Sequence, residues 1–249
     1  MNLIVGIVMK PLLITQTSLS LWERLGVSQE FADILFKYDA NSIGIIPCGI
    51  SLDRENSDDI TLYKEKDLTE KEKNYLITQI ELCDGIILQG GLSSHNYEIF
   101  IAKYAIEHNI PLLGICAGFN NIARALGTEV DCDKNLVDSH DIYSSECCHN
   151  VIIQDTAKVL KQLGNECFVN SIHSMTLNLE TAKLNKRINL EAVVENNIDG
   201  KKKVTVEAFS VKDTKFCLAI KWHPELLKKE ESTRIIFSEF VKACGKEIN

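Results

Sequence analysis

The chain has 249 residues, of which 45% are hydrophobic and 25% are charged, proportions that are typical of a globular protein and not of a disordered or fibrous one. Its formal net charge of -8 opposes a general affinity for nucleic-acid backbones and anionic membrane surfaces, because both carry negative charge. A chain of this length can bury a full core in one domain, so we expect a single domain over residues 1–249.

Neither a membrane segment nor an export signal is indicated. No apolar stretch reaches the roughly 18 residues of a membrane span, and residues 1–10 lack the basic lead and the small-residue cleavage site of a signal peptide. The nine cysteines are an odd number without any C-x-x-C pair, and adjacent residues such as Cys147 and Cys148 rarely ligate one ion. We therefore expect a cytoplasmic protein with free thiols and no metal site.

The first predicted elements are a strand, a helix and a second strand. Residues 3–8 form a continuous apolar run, which is typical of a strand covered on both faces. Ser28 is a predicted N-cap of a helix whose apolar positions are spaced by three and four residues. Residues 42–46, which directly precede Pro47, are predicted to form a second strand.

The alternation of helices and strands continues toward the middle of the chain. The charged residues 53–67 indicate a surface excursion, and Thr69 with Glu72 predicts a capping box at the start of the next helix. A strand is predicted at residues 85–89, and a further helix ends near His108.

A fourth strand, residues 112–115, leads directly into a helix that begins at Cys116 and ends near Gly127, a natural helix C-cap. Strands that alternate with helices predict a parallel, doubly wound sheet, whose ligands bind at the carboxyl ends of the strands. Cys116 is predicted to lie at such an end.

Beyond about residue 130 the pattern changes toward antiparallel structure. A short helix is predicted near residues 156–163, and Asp199-Gly200 is a hairpin turn signal. Further strands are predicted at residues 190–194, 204–211 and 216–220, and the last helix has its apolar positions within residues 235–241. The predicted fold is α/β, with a doubly wound, mostly parallel central sheet, flanking helices and a more antiparallel second half.

The segment Gly114-Ile115-Cys116-Ala117-Gly118 has the spacing of a nucleophile elbow, a tight strand-to-helix turn that needs small flanking residues. The N-terminus of the following helix favours a thiolate over a thiol, and the thiolate is the attacking species. A buried structural cysteine on a tightly packed turn is the alternative, because free cysteines are usually buried and inert.

A cysteine nucleophile requires a base that is oriented by a third group. Among the six histidines, His223 follows the predicted strand 216–220 closely, and it precedes Pro224 and Glu225. The proline stiffens the backbone, and Glu225 can hold the imidazole in the tautomer that accepts the thiol proton. The sequence thus predicts a triad of Cys116, His223 and Glu225. The other histidines, His95, His108, His140, His149 and His173, lack such an adjacent partner.

These residues resemble the class I glutamine amidotransferase superfamily, and its gamma-glutamyl hydrolase branch in particular. The superfamily combines the G-x-C-x-G elbow at residues 114–118 with a late W-H-P-E, here residues 222–225. Its G-G after an early strand is present as Gly90-Gly91, and its V-N-S-x-H stretch is present as residues 169–173. The four motifs occur in the family's order and span most of the chain.

The resemblance implies a flavodoxin-like fold and hydrolysis of a small gamma-glutamyl amide through a glutamyl thioester, without a metal or organic cofactor. The backbone N–H groups of Gly91 and Ala117 would hold the oxyanion. Gly90, Asn120, Asn170, Ser171 and His173 are candidate substrate-binding residues, although a polar loop that supports the sheet is an equal interpretation of residues 170–173.

Three departures from the family pattern leave the substrate open. Asn120 replaces the usual glutamine of G-x-C-x-G-x-Q, Met175 replaces the glutamine that ends V-N-S-x-H-x-Q, and Ala117 stands where the hydrolase branch often has arginine. A glutaminase subunit that delivers ammonia to a separate synthetase, and a non-catalytic binding relative, are the alternative functions. A homo-oligomer or a synthetase partner is compatible with the resemblance.

Overall fold

The computed structural model of the chain describes residues 3–11, 25–48, 67–91, 94–132, 141–142, 146–173, 175–198 and 201–245. The helices of this part are α1 (Gln29–Lys37), α2 (Glu70–Ile80), α3 (Asn96–Glu107), α4 (Ala117–Ala125), α5 (Leu179–Leu184) and α6 (Glu231–Ala243). None of these helices is long and apolar enough to cross a membrane.

The strands of the described residues are β1 (Ile4–Val8), β2 (Lys10–Pro11), β3 (Leu25–Gly26), β4 (Asn41–Ile45), β5 (Gly85–Leu88), β6 (Leu112–Ile115), β7 (Asp131–Cys132), β8 (Asp141–Ile142), β9 (His149–Ile153), β10 (Glu166–Val169), β11 (Ser171–Ile172), β12 (Met175–Asn178), β13 (Ile188–Ile198), β14 (Lys201–Val211) and β15 (Cys217–Ile220).

The main sheet has the strand order β10-β9-β13-β14-β15-β6-β5-β1-β4. The five strands from β15 to β4 are parallel, and every pair from β15 to β10 is antiparallel. In register, Ile220 of β15 lies beside Ile115 of β6, and Leu88 of β5 lies beside Gly114. The predicted fold, with a parallel half and an antiparallel half, is confirmed.

Helices cover the parallel half of the sheet on both faces. On one face the core contains Phe31 of α1 and Phe237 of α6, together with strand residues such as Val5. On the other face it contains Leu76 of α2, Ile101 of α3 and Phe119 of α4. Strands β5 and β6 are buried at every residue, which explains their uninterrupted apolar sequences.

Most predicted elements are confirmed, with small shifts at their ends. Thr69 and Glu72 form both hydrogen bonds of the predicted capping box, and Gly127 has a φ of 74° after α4. The prediction of a helix near residues 156–163 was too long, because only a 3₁₀ turn at Leu160–Leu163 forms there. The hairpin turn at residues 199–200 and residues 53–66 of the predicted surface excursion lie outside the described residues.

Helix α4 packs unusually closely against β5. A Cβ placed on Gly118 would lie 2.2 Å from the carbonyl oxygen of Leu88, and one on Gly114 would lie 2.7 Å from the carbonyl oxygen of Gly118. These obstacles are backbone atoms, which cannot move aside without displacing the strand or the helix. Because the side chain of each of these glycines is a single hydrogen atom, α4 can approach the sheet this closely.

We expect Gly118→Ala to destabilise the fold by about 2–3 kcal/mol, because the added methyl group must push α4 away from β5. Gly44→Ala is the matched control, since a Cβ there would meet the side chain of Met9, which has freedom to rearrange. Urea denaturation of both variants measures the difference. Equal stabilities would show that the close approach of α4 is not a constraint.

Candidate active site

Cys116 lies between the end of β6 and the start of α4 in a strained backbone conformation. Its φ of 53° and ψ of -100° are unfavourable for a residue with a side chain, and such strain concentrates at functional sites. A hydrogen bond of 2.8 Å from its N–H to the carbonyl of Ile220 ties the turn to β15. The elbow that the glycine spacing predicts is therefore formed, and its thiol is half-buried.

His223 and Glu225 follow β15 and complete a cluster with Cys116. The Nδ1 atom of His223 lies 2.7 Å from Oε1 of Glu225, which leaves Nε2 for the thiol. A Cβ built on Gly90 would be 2.5 Å from Cε1 of His223 and 3.4 Å from Cβ of Cys116. The absence of a side chain at Gly90 thus makes room for the imidazole beside the cysteine.

Opposite charges on Cys116 and His223 stabilise each other. Burial alone raises the pKa of the Cys116 thiol, but the charge and hydrogen bonding of His223 outweigh it and lower the pKa to about 6. Burial alone lowers the pKa of His223, but Cys116 and Glu225 raise it to about 11. At neutral pH the pair is a thiolate and an imidazolium, the form that can attack a carbonyl carbon.

The V-N-S-x-H stretch packs against this cluster. Asn170 holds the backbone of His223 with two hydrogen bonds, accepting from its N–H at 2.8 Å and donating to its carbonyl at 3.1 Å. The carbonyl of Ile172 lies 3.8 Å from the Cys116 sulfur. The sequence left open whether Asn170 lines a pocket or belongs to a polar loop that supports the sheet, and these contacts show instead that it holds the backbone of His223.

A family model for glutamine amidotransferase class-I matches residues 56–243, three quarters of the chain. The chain belongs to this family. The resemblance that was predicted from the four motifs is thereby confirmed.

The curated relatives of this amidotransferase-family chain include hydrolases and synthases. A gamma-glutamyl-gamma-aminobutyrate hydrolase of Escherichia coli is 27% identical over 171 residues, which cover 59% of this chain and 59% of that protein. A CTP synthase of Borreliella burgdorferi is 29% identical over 188 residues, which cover 65% of this chain and 35% of that protein. The chain thus spans about a third of the length of the CTP synthases it matches.

Solved structures of the same family share the fold. The glutaminase domain of a Trypanosoma brucei CTPS, with bound acivicin, superposes with a TM-score of 0.64 at 16% identity and covers 100% of this chain and 96% of that one. A glutamine amidotransferase of Thermotoga maritima gives a TM-score of 0.54 at 16% identity, with 99% and 87% covered. At such identities the likeness shows the fold alone.

The remaining candidate residues of this family member lie around the cluster. Ala117 directly follows Cys116 as the first residue of α4. Gly91 follows Gly90, where a Cβ would lie 3.4 Å from Cβ of Cys116. Ser171 is fully buried. His173 directs Nε2 toward Oε2 of Glu207 at 3.3 Å, and its charge also lowers the pKa of Cys116.

Several buried charges near the site were not predicted from the sequence. Lys10 forms a 3.0 Å ion pair with Glu98, and its aliphatic chain lies against Gly91, where a Cβ would be 2.8 Å from Cδ of the lysine. Lys221 is fully buried directly before Trp222. The burial of Lys221 could have been predicted from its place at the end of an otherwise apolar strand. The pairing of Lys10 with Glu98 could not, because no sequence pattern relates the two residues.

Three histidines outside the predicted triad lie in different surroundings. His95 is almost fully buried and precedes α3, where its backbone N–H donates to Glu98. His149 lies 3.9 Å from the carboxylate of Glu207, and burial lowers its pKa. His108 ends α3 on the surface, as expected, and His140 lies outside the described residues.

We expect iodoacetamide to label Cys116 with a midpoint near pH 6, well below the midpoints of Cys83 and Cys167, whose pKa values are raised by burial. Burial raises the pKa of Cys217, and it raises that of Cys244 to about 12, so both should stay unlabelled in the folded protein. His223→Gln should move the Cys116 midpoint upward by at least about one pH unit, because the stabilising cation is lost. Peptide mass spectrometry of samples labelled over a pH series measures each midpoint.

His108→Gln is the matched control, since it removes a histidine from the surface end of α3. An unchanged Cys116 midpoint in His223→Gln would contradict the thiolate–imidazolium pair.

Proposed function

We propose that this chain hydrolyses the gamma-glutamyl amide bond of a small gamma-glutamyl conjugate and releases glutamate. The observation that carries the proposal is the assembled cluster: a cysteine on a strained elbow, beside a histidine whose Nδ1 lies 2.7 Å from Glu225. The similarity to a gamma-glutamyl-gamma-aminobutyrate hydrolase supports the choice of amide.

In the first step of the proposed mechanism, the Cys116 thiolate attacks the gamma-carbonyl carbon. The negative charge passes from sulfur to the carbonyl oxygen, to which the backbone N–H groups of Gly91 and Ala117 would donate hydrogen bonds. Burial lowers the pKa of His223, and the Cys116 thiolate is the largest of the effects that raise it. Once the thiolate has reacted, the pKa of His223 falls and the imidazolium becomes a stronger acid. The proton then goes to the departing amine as the carbon–nitrogen bond breaks.

In the second step, water hydrolyses the glutamyl thioester. Neutral His223 accepts a proton from the water as it attacks, and the thiolate leaves to restore the ion pair. Glu225 keeps Nδ1 of the imidazole occupied throughout, so Nε2 exchanges the protons. No step requires a metal or an organic cofactor.

A glutaminase that supplies ammonia to a synthetase is the second candidate, and the similarity to CTP synthases favours it. It would use the same cluster on free glutamine. Both candidates need Cys116, His223 and Glu225, which all belong to this chain, so the two are distinguished by whether activity depends on an added synthetase.

We expect purified protein to release glutamate from one or more members of a panel of gamma-glutamyl amines, and Cys116→Ala to release none while remaining folded. Mass detection of free glutamate measures both. Cys48→Ala, which alters an exposed cysteine, is the matched control and should keep full activity. Glutaminase activity that appears only when a synthetase is added would replace the hydrolase proposal by the second candidate.

We expect Glu225→Gln to lower kcat by about 10- to 100-fold, because the amide still contacts Nδ1 but no longer stabilises the imidazolium. Glu225 raises the pKa of His223, so its loss should move the alkaline limb of the kcat profile to lower pH. Glu231→Gln, at an exposed carboxylate on α6, is the control. A Glu225→Gln profile that coincides with the wild type would rule out Glu225 as the third member of the triad.

A further inference from the structure

Lys221 is a fully buried lysine beside the active site, and the proposed mechanism does not use it. Its Nζ donates a 2.6 Å hydrogen bond to Oδ1 of Asn120 and lies 4.7 Å from the centroid of the Phe119 ring. Both partners are on the first turn of α4, the helix that begins directly after Cys116. The lysine therefore connects the end of β15 to the helix that follows the elbow.

An ordinary structural ion pair does not explain this lysine. Within the described part of the chain, no carboxylate lies within ion-pair distance of Nζ. Glu207 is the cross-strand neighbour, and its carbonyl accepts from the N–H of Lys221 at 2.8 Å, but its carboxylate approaches His173. A buried ammonium group without a paired anion is costly, so its charge must be balanced elsewhere in the site.

Cys116 lies beside Lys221 at the ends of adjacent strands. Ile220 and Ile115 are in register on adjacent parallel strands, so Lys221 and Cys116 occupy equivalent positions at the strand ends, where neighbouring strands are about 4.8 Å apart. Burial is the main effect on the pKa of Lys221 and lowers it, Cys116 and Glu207 raise it, and Arg124 lowers it, so that the resulting pKa is about 8. The charge of Lys221 in turn lowers the pKa of Cys116, as do those of His223 and His173.

We propose that Lys221 is a positioning residue of this active site, which holds the Asn120 side chain in one orientation and places a second positive charge beside Cys116. This role rests on the proposed function only in taking Cys116 as the nucleophile. Since an ammonium group only donates hydrogen bonds, Oδ1 of Asn120 must face it.

The orientation of Asn120 has a consequence for substrate recognition. With Oδ1 turned to Lys221, the Nδ2 group points the other way, and it makes no hydrogen bond among the described residues although it is not enclosed. It is therefore presented as a donor for a carbonyl or carboxylate oxygen of the substrate. Asparagine is one methylene shorter than the glutamine usual at this position. The hydrogen bond from Lys221 therefore determines which substrate atoms the shorter amide can contact.

Two neutral variants separate the charge of Lys221 from its hydrogen bond. Lys221→Met removes the charge and the hydrogen bond but keeps a side chain of similar length. Lys221→Gln removes the charge and keeps a hydrogen-bond donor for Asn120. We expect the midpoint of Cys116 labelling by iodoacetamide to rise by about one pH unit in both, which lowers the labelling rate at pH 6 by about fivefold. We expect KM for the best gamma-glutamyl substrate to rise in Lys221→Met and to stay closer to wild type in Lys221→Gln.

Lys103→Met is the matched control, because it removes one positive charge from the exposed surface of α3. It should leave the labelling midpoint, kcat and KM unchanged. A wild-type labelling midpoint in Lys221→Met would overturn the proposal. The labelling assay needs no substrate, so failure of the gamma-glutamyl screen would count against the proposed function and not against the role of Lys221.

A measurement on the wild-type chain avoids any folding defect of the variants. In protein labelled with carbon-13 at the lysine ε-carbons, the Lys221 signal should titrate at lower pH after carbamidomethylation of Cys116, because the thiolate that raises its pKa becomes a neutral thioether. The signal of Lys103 should not move. An unchanged Lys221 titration would show that the two charges are not coupled.

Discussion

The ion pair between Cys116 and His223 is the interaction on which the rest of the site depends. Burial disfavours each charge separately, and together the charges reverse this effect, lowering the pKa of the thiol to about 6 and raising that of the imidazole to about 11. Such a pair is strong only when its geometry is kept within a narrow range. The surrounding backbone can be understood as the means of keeping that geometry.

The backbone positions the pair from several strands at once. Cys116 and His223 follow adjacent parallel strands, Gly90 leaves space for the imidazole, and Asn170 binds the backbone of His223 on both sides. Close packing of Gly118 against β5 fixes the start of α4 and hence the strained φ of Cys116. Strain of this kind persists only where the neighbouring structure over-determines the conformation.

Further buried charges lie on two sides of the cluster of Cys116, His223 and Glu225. Lys10 and Glu98 form an ion pair against Gly91, and Lys221, Glu207 and His173 extend from the elbow into the antiparallel half of the sheet. A cluster of alternating charges in a medium of low dielectric constant couples the protonation of its members. The departure at Asn120 belongs to this second group, since its amide is oriented by Lys221.

The sequence by itself determined the order of elements, the elbow and the candidate triad, because hydrophobic periodicity, glycine spacing and short motifs are local properties of the chain. Only the tertiary structure decided that Asn170 clamps His223, that Lys10 meets Glu98 and that Lys221 reaches Asn120. These partners are separated by 53 to 101 residues in the chain. Contacts over such separations are set by sheet order and register, which no local pattern encodes.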